Sequence, residues 1–272
     1  MIIDAWANIA LPGTLEVAPD VERLFRQARR SEVLQTGIDA EAMIAQMDAA
    51  GVDRALVTAW HREGVWEYSN ERVRELVARY PNRIVGIAAV DIRQPDKAAD
   101  ELTRAVEQWG FKGLRLVPWL WNRPPDDRLY YPLYVRCQEL DVPVCLQVGH
   151  TGPLAPSEPG RPIPYLDRVA LDFPELRLVG GHLGYPWTEE MIALAWKHEH
   201  VYIDTSAHLP RYYPPQLLHF ATTYGREKVL FATNFPMLAW DQCVRQAQEL
   251  ELPDEAAAEF LGGNTARVYK LD

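Results

Sequence analysis

Short apolar runs alternate with amphipathic stretches along the whole chain, and the alternation repeats eight times. It predicts strands at about 1–6, 54–60, 84–90, 112–118, 143–148, 177–182, 201–206 and 229–234. Helical patterns follow near 39–50, 69–80, 96–109, 128–140, 164–172, 187–198, 214–224 and 239–250. The strand segments are nearly continuous apolar runs, such as Arg54-Ala55-Leu56-Val57 and Val229-Leu230-Phe231. That is the pattern of a parallel sheet covered on both faces, unlike the strict alternation of a half-exposed sheet. Eight strand–helix units close most naturally as a barrel of parallel strands. The competing arrangement, an open doubly wound sheet, is weakened because no glycine-rich phosphate loop follows the first strand.

Proline and glycine punctuate this pattern. Pro81, Pro95 and Pro174 fall at element ends, where a missing N–H breaks no ladder. Gly51, Gly110 and Gly225 follow helical stretches and are expected to cap them in the left-handed conformation. Segment 9–38 is a long excursion after the first strand, with Pro12-Gly13 and the basic residues Arg26, Arg29 and Arg30. It is expected over the barrel mouth, where loops build the site. Segment 253–272 reads as a terminal helical extension, and the Pro- and Gly-rich loop 151–165 is a candidate lid. The expected organisation is one domain over 1–272.

Composition narrows the partners. At 272 residues the chain has the length of one (β/α)8 barrel, about 250 residues. A net charge of -10 and a pI near 5.2 argue against nucleic acid or an anionic membrane as the main partner. They leave an anionic small molecule open, because a local arginine overrides the average field. Cys137, Cys145 and Cys243 have no paired spacing and read as reduced thiols of a cytoplasmic protein. No signal peptide opens the sequence and no run of about 18 apolar residues occurs, so no membrane span is expected.

In a barrel of this kind chemistry gathers at the carboxyl ends of the strands. Read in order, those ends carry Trp6 and Asn8, Trp60 and His61, Asp91, then Arg115, Trp119 and Trp121. Gln147 and His150 follow, then His182, then Asp204, Ser206 and His208, and last Asn234. His182 is a candidate general acid or base, since a neutral imidazole transfers protons near pH 7 without help. Asp204 either orients it or caps its own loop. Arg115, in an apolar strand, either pairs with Asp91 or Asp204 inside the barrel or clamps a substrate carboxylate. His150 is either a loop histidine or a substrate contact. Ser206, His182 and Asp204 lack the Gly-x-Ser-x-Gly elbow of a hydrolytic triad. The tryptophans at 6, 60, 119, 121, 187 and 240 offer walls for a flat ligand.

Several blocks carry a resemblance: Gly180-Gly181-His182-Leu183-Gly184-Tyr185-Pro186-Trp187, Val201-Tyr202-Ile203-Asp204-Thr205-Ser206 and Phe231-Ala232-Thr233-Asn234-Phe235-Pro236. With Met1-Ile2-Ile3-Asp4 and Lys112-Gly113-Leu114-Arg115-Leu116, the chain resembles the aminocarboxymuconate-semialdehyde decarboxylase-like branch of the amidohydrolase superfamily over essentially its full length. The resemblance implies a distorted, single-domain α/β TIM barrel of amidohydrolase type, with a homodimer a reasonable expectation. It also implies metal ligands at the positions held here by Trp6, Asn8, Gln147 and Asn234, with His182 as the histidine acting beside the metal. Neutral amides and an indole bind zinc poorly, so no metal ligand and no cofactor are expected, a divalent ion such as zinc being disfavoured. An alternative register makes His150 a ligand, with His182 as a second.

The expected activity is that of an amidohydrolase-like enzyme, a hydrolase or a carboxy-lyase, acting on a small aromatic or unsaturated carboxylate. His182, Arg115 and Asp204 form the catalytic set. Trp6, Asn8, His61, Trp119, Trp121, Gln147, His150, Trp187 and Asn234 form the substrate-binding set. The rival reading is a non-catalytic small-molecule-binding protein on a degenerate barrel. A titratable group facing the bound ligand separates the two.

Overall fold

The structure, a computed structural model, describes residues 1–10, 12, 19–62 and 65–271. The parallel strands are β1 (Ile3–Ala7), β2 (Arg54–Thr58), β5 (Ile84–Ile87), β6 (Leu114–Leu116), β7 (Val144–Gln147), β8 (Leu178–Gly181), β9 (Val201–Asp204) and β10 (Val229–Leu230). Between β2 and β5 lies an antiparallel hairpin, β3 (Trp60–Arg62) and β4 (Val65–Tyr68). Hydrogen bonding runs β1-β2-β5 in one sheet and β10-β9-β8-β7-β6 in the other. Parallel bridges Ala88↔Leu114 and Ala7↔Phe235 join the two sheets into a closed barrel. All eight expected strands are present, each shorter than its apolar run. The hairpin was not expected, and it moves Trp60 and His61 off the end of β2.

The helices begin where local chemistry lets them. Asp39 accepts the Ala42 N–H at 2.7 Å and starts helix Ala40–Ala50, and Ser69 does the same for Arg72 ahead of helix Asn70–Arg79. Gly51 and Gly110 end their helices at φ +72° and +71°. Gly225 does not serve as a left-handed cap, because helix Pro215–Thr222 already ends at Thr223, with φ -124° and ψ -113°. Among the described residues no helix is long and apolar enough to cross a membrane. Cys137, Cys145 and Cys243 are free and buried.

The core has two parts. One fills the barrel with Leu56, Val85, Ile87, Cys145, Val179 and Leu230, and Val268 and Tyr269 of helix Asn264–Tyr269 pack into it. The other lies between strands and helices. A bulge between Asp4 and Ala7 shifts the pairing of β1 with β2. Asp4 therefore faces the outer layer, while Trp6 joins the inner cluster.

Asp4 closes the seam between the first and last strands. Its buried carboxylate accepts from the Trp6 N–H (3.0 Å), the Thr233 N–H (2.9 Å), the Thr233 hydroxyl (2.5 Å) and the Trp240 indole N–H (2.6 Å). Burial pushes its pKa up to about 6 against the pull of those donors. The folded chain thus holds the Asp4 proton more tightly than the unfolded chain does. This contribution to stability is complete below the ordinary 3.8 and is lost as pH rises through about 6. Asp4→Ala leaves buried donors unpaired and should cost about 3 kcal/mol in urea denaturation. Asp4→Asn should flatten the fall in stability between about pH 4 and 6. An Asp4→Ala urea midpoint equal to the parent's would show that the seam does not need the carboxylate.

Candidate functional site

A cavity of about 250 Å³ opens at the carboxyl ends of the strands. Trp6 and Asn8 from the end of β1 line it, with Gln147 from β7, His182 after β8, His208 after β9 and Asn234 after β10. Trp60, Arg62, Glu67 and Tyr68 of the β3–β4 hairpin form one wall, and Trp119 and His150 add further lining. Val21, Leu24, Phe25 and Leu34 of the excursion after β1 cover it, joined by Gly152 and Pro153.

The strand ends hold these groups through strained backbone. His182, Leu183, Ala207 and Asn234 all sit in the left-handed region, at φ +60°, +57°, +63° and +65°. For residues with a Cβ each such conformation costs about 1–3 kcal/mol, and such strain gathers at functional sites. Asn234 is fixed there by its own N–H, which donates to the Trp6 carbonyl at 2.8 Å.

His182 is tied from behind. Its Nδ1 lies 2.5 Å from the Ser206 hydroxyl oxygen, and Ser206 is in turn bonded to the Asp204 carboxylate. The His182 N–H points at the same two groups, at 3.2 and 3.3 Å. Nε2 is left as the ring nitrogen without a protein partner among the described residues. Burial, followed by the charges of His208, Arg115 and His150, holds the imidazole well below its usual pKa. Burial and His150 push His208 down to about 4. Both rings are therefore neutral at pH 7. Among the described acidic and basic residues, Arg62 and Glu67 line the cavity wall, and they pair with each other while Arg62 also holds Asp20 at 2.8 Å.

The donor set at the cavity floor is already committed. Asn8 Nδ2 donates to Asn234 Oδ1 at 2.6 Å and to the Phe235 carbonyl at 3.1 Å. Asn8 Oδ1 accepts from Trp60 Nε1 at 2.8 Å and from Arg115 at 3.4 Å. The Trp6 ring fills the other position on β1, and it fits because residue 181 is glycine: a Cβ there would lie 2.8 Å from the indole. Among the described residues no three His, Cys, Asp or Glu side chains come together as a cation site. The alternative register through His150 and His182 thus lacks a third donor. As they stand, these side chains do not fit a divalent ion held in the usual way.

Of the expected site residues, Trp6, Asn8, Trp119, Gln147, His150, His182 and Asn234 line the cavity. Asp204 lies behind it, fully buried, and acts on it through Ser206. Arg115 does not reach it as a clamp. Its guanidinium stacks 3.7 Å from the centre of the far side of the Trp6 ring and donates to the Ala5 and Ala7 carbonyls at 3.4 and 3.5 Å. It makes no ion pair with Asp91 or Asp204, although its field lowers the Asp204 pKa. Asp91 is held by Arg93 instead. His61 and Trp121 stack on each other at 5.7 Å and line a separate small void beside Arg115. Trp187 lies under Arg161 and outside the cavity lining. Sequence reasoning missed the hairpin wall; it placed the excursion 9–38 over the mouth but did not single out its apolar lining residues Val21, Leu24, Phe25 and Leu34.

Comparison with known proteins fits this geometry. An amidohydrolase family matches residues 3–271. A gamma-resorcylate decarboxylase of Rhodococcus jostii is 24% identical over 285 residues, covering 85% of this chain and 84% of that protein. A 2-keto-4-carboxy-3-hexenedioate hydratase of Sphingobium is 25% identical over 246 residues, covering 75% of this chain and 71% of that protein. Among solved structures, an uncharacterised TIM-barrel protein of Bordetella bronchiseptica superposes with a TM-score of 0.84 at 24% identity, covering 98% and 97% of the two chains. A 5-carboxyvanillate decarboxylase of Novosphingobium aromaticivorans superposes with a TM-score of 0.76 at 18% identity, covering 100% and 96%. That neighbour is complexed with manganese, and this finding overturns the expectation of no cofactor. The expectation failed because it weighed the donors of this chain alone.

The floor itself can be tested. Asn234→Asp combined with Gln147→His replaces two amides by a carboxylate and an imidazole. The pair should tighten manganese binding at least about tenfold in calorimetric titration. Unchanged affinity would mean that a cation here does not meet positions 147 and 234.

Proposed function

The protein belongs to the amidohydrolase family, in its decarboxylase-like branch, and from that premise we propose that it is a carboxy-lyase removing CO2 from a hydroxylated aromatic carboxylate, with His182 moving the proton. The observation that carries this reading is His182, turned by Ser206 so that only Nε2 is left for a ligand in the cavity.

The rest of the cavity suits that chemistry. Trp6, Trp60, Trp119, Phe25 and Tyr68 present aromatic walls to a flat ring. Gln147 and Asn234 bring amide groups that orient a carboxylate or ring hydroxyl. An apolar, covered cavity disfavours the compact charge of a carboxylate, and losing that group as neutral CO2 relieves the cost. The ring carbon left behind is basic and must take a proton, and an imidazole at the cavity floor is placed to supply it. Among the described residues water activation finds no carboxylate lining the cavity other than Glu67, which Arg62 holds, and this favours the lyase over the hydrolase. A titratable imidazole facing the ligand also favours the enzyme over a passive binding protein. Free, buried cysteines accord with a cytoplasmic setting.

The test is CO2 release from 2,6-dihydroxybenzoate, 5-carboxyvanillate and related hydroxybenzoates, with and without added manganese. His182→Gln should lower kcat about 100-fold while leaving KM within about threefold. Full turnover in His182→Gln would remove the proposed proton carrier. Tight binding of the acids with no CO2 release under either condition would identify a binding protein.

A further inference from the structure

His182 presents a difficulty for the decarboxylation just proposed. The ring carbon needs an acid, yet the imidazolium is disfavoured by burial and by Arg115, His208 and His150. The groups behind the ring resolve it. We propose that Asp204, Ser206 and His182 form a proton-storage relay, in which the proton destined for the substrate rests on the Asp204 carboxyl and leaves through His182 Nε2; this rests on the carboxy-lyase reading.

The argument starts from the single proton of a hydroxyl. Ser206 Oγ contacts His182 Nδ1 on one side, at 2.5 Å, and Asp204 Oδ1 on the other. It donates in one direction only, so two complete hydrogen-bond chains exist. In one, Nδ1–H donates to Ser206, Ser206 donates to the Asp204 carboxylate, and Nε2 is a bare base. In the other, the Asp204 carboxyl donates to Ser206, Ser206 donates to Nδ1, and Nε2 carries the proton. The second chain offers an N–H to the cavity while the imidazole stays neutral.

The surroundings of Asp204 support both ends of the exchange. It is fully buried, which favours the protonated form and raises its pKa. The groups facing it are Arg115 from β6, the Cys145 thiol from β7 at 3.5 Å, His182 after β8, and the Tyr213 and Tyr269 hydroxyls. Once the proton has gone, the carboxylate is stabilised by the N–H groups of Ser206 (3.0 Å) and His182 (3.3 Å) and by the Arg115 charge. Arg115 thereby gains a positioning role that its distance from the ligand would otherwise deny it.

Each turnover balances. The bond between ring carbon and carboxylate breaks and its electron pair stays on the ring carbon. That carbon takes the Nε2 proton, Nδ1 takes the Ser206 proton, and Ser206 takes the Asp204 proton. CO2 leaves, and solvent returns one proton to the relay through Nε2.

The experiment is infrared difference spectroscopy of the full chain at pH 7, which needs no substrate. A deuterium-sensitive protonated-carboxyl band should be present and absent from Asp204→Asn. Should that variant not fold, Ser206→Ala assigns the band independently, because loss of the acceptor moves it to higher frequency. In the hydroxybenzoate assay Ser206→Ala should lower kcat about 100-fold with KM little changed, and Ser206→Thr should restore most of the rate. No band sensitive to either variant would show Asp204 ionised at rest and overturn the relay, as would a Ser206→Ala kcat within twofold of the parent. His182→Gln separates the two proposals. Turnover surviving that change defeats the carboxy-lyase assignment of His182, whereas the infrared band judges Asp204 regardless.

Discussion

The barrel depends on one seam. β10 has only two residues, so the last strand cannot hold the first by a long ladder. What holds it is a set of contacts centred on the Asp4 carboxylate, reinforced by Ala5 N–H to the Phe231 carbonyl, Asn8 N–H to the Phe235 carbonyl and Asn234 N–H to the Trp6 carbonyl. A buried carboxylate is costly unless its lone pairs are used, and here four donors use them. Because Trp6 and Asn8 lie on one side of the seam and Asn234 on the other, the cavity floor takes its shape from this closure. Structure and site are in this sense one problem.

The same economy governs the buried charges. Arg115 has no carboxylate within ion-pairing distance, yet its guanidinium is almost fully buried. Three long hydrogen bonds to Ala5, Ala7 and Asn8 and the face of Trp6 offset its desolvation. Trp6 can take that place only because Gly181 leaves room. A tryptophan on β1, a glycine on β8 and an arginine on β6 therefore form a single packing decision, and the imidazole of His182, 4.8 Å from the Trp6 ring, completes it.

Much of this was legible in the sequence. The eight strands and the helices between them follow from continuous apolar runs and 3.6-residue periodicity, which reflect burial and survive any choice of partner. The strand ends were legible for the same reason: a polar residue closing an apolar run at 147, 182 or 234 has no packing purpose. Partners across the barrel were not. Arg115 read as either an ion-pair partner of Asp91 or Asp204 or a clamp, because nothing local says that its guanidinium stacks on the Trp6 ring. His61 read as a cavity residue because the hairpin that carries it depends on pairing between β3 and β4, and Trp121 because nothing local says that it stacks on His61. The excursion after β1 was recognised as a cover, but the apolar residues that face inward, Val21, Leu24 and Phe25, lie on helices too short to show a clear periodicity.

The cavity's polarity makes sense when the floor is considered as a whole. Amides at 8 and 234 bond to each other, an indole fills position 6, and the His182 and His208 rings are neutral. Such a floor holds a carboxylate weakly, and weak holding of the ground state is an advantage where the carboxylate must be lost. In the proposed relay the proton needed for the reaction is kept one layer deeper, on Asp204 beside Arg115, where it is insulated from solvent but linked to the cavity through Ser206 and the His182 ring. Placing the acid behind a neutral imidazole also keeps a fixed anion away from an anionic ligand. A carboxylate lining the floor at position 234 would repel that ligand unless a cation sat between them. Asparagine at 234 and aspartate at 204 are thus two halves of one electrostatic arrangement: the exposed site is neutral because the buried one stores the proton.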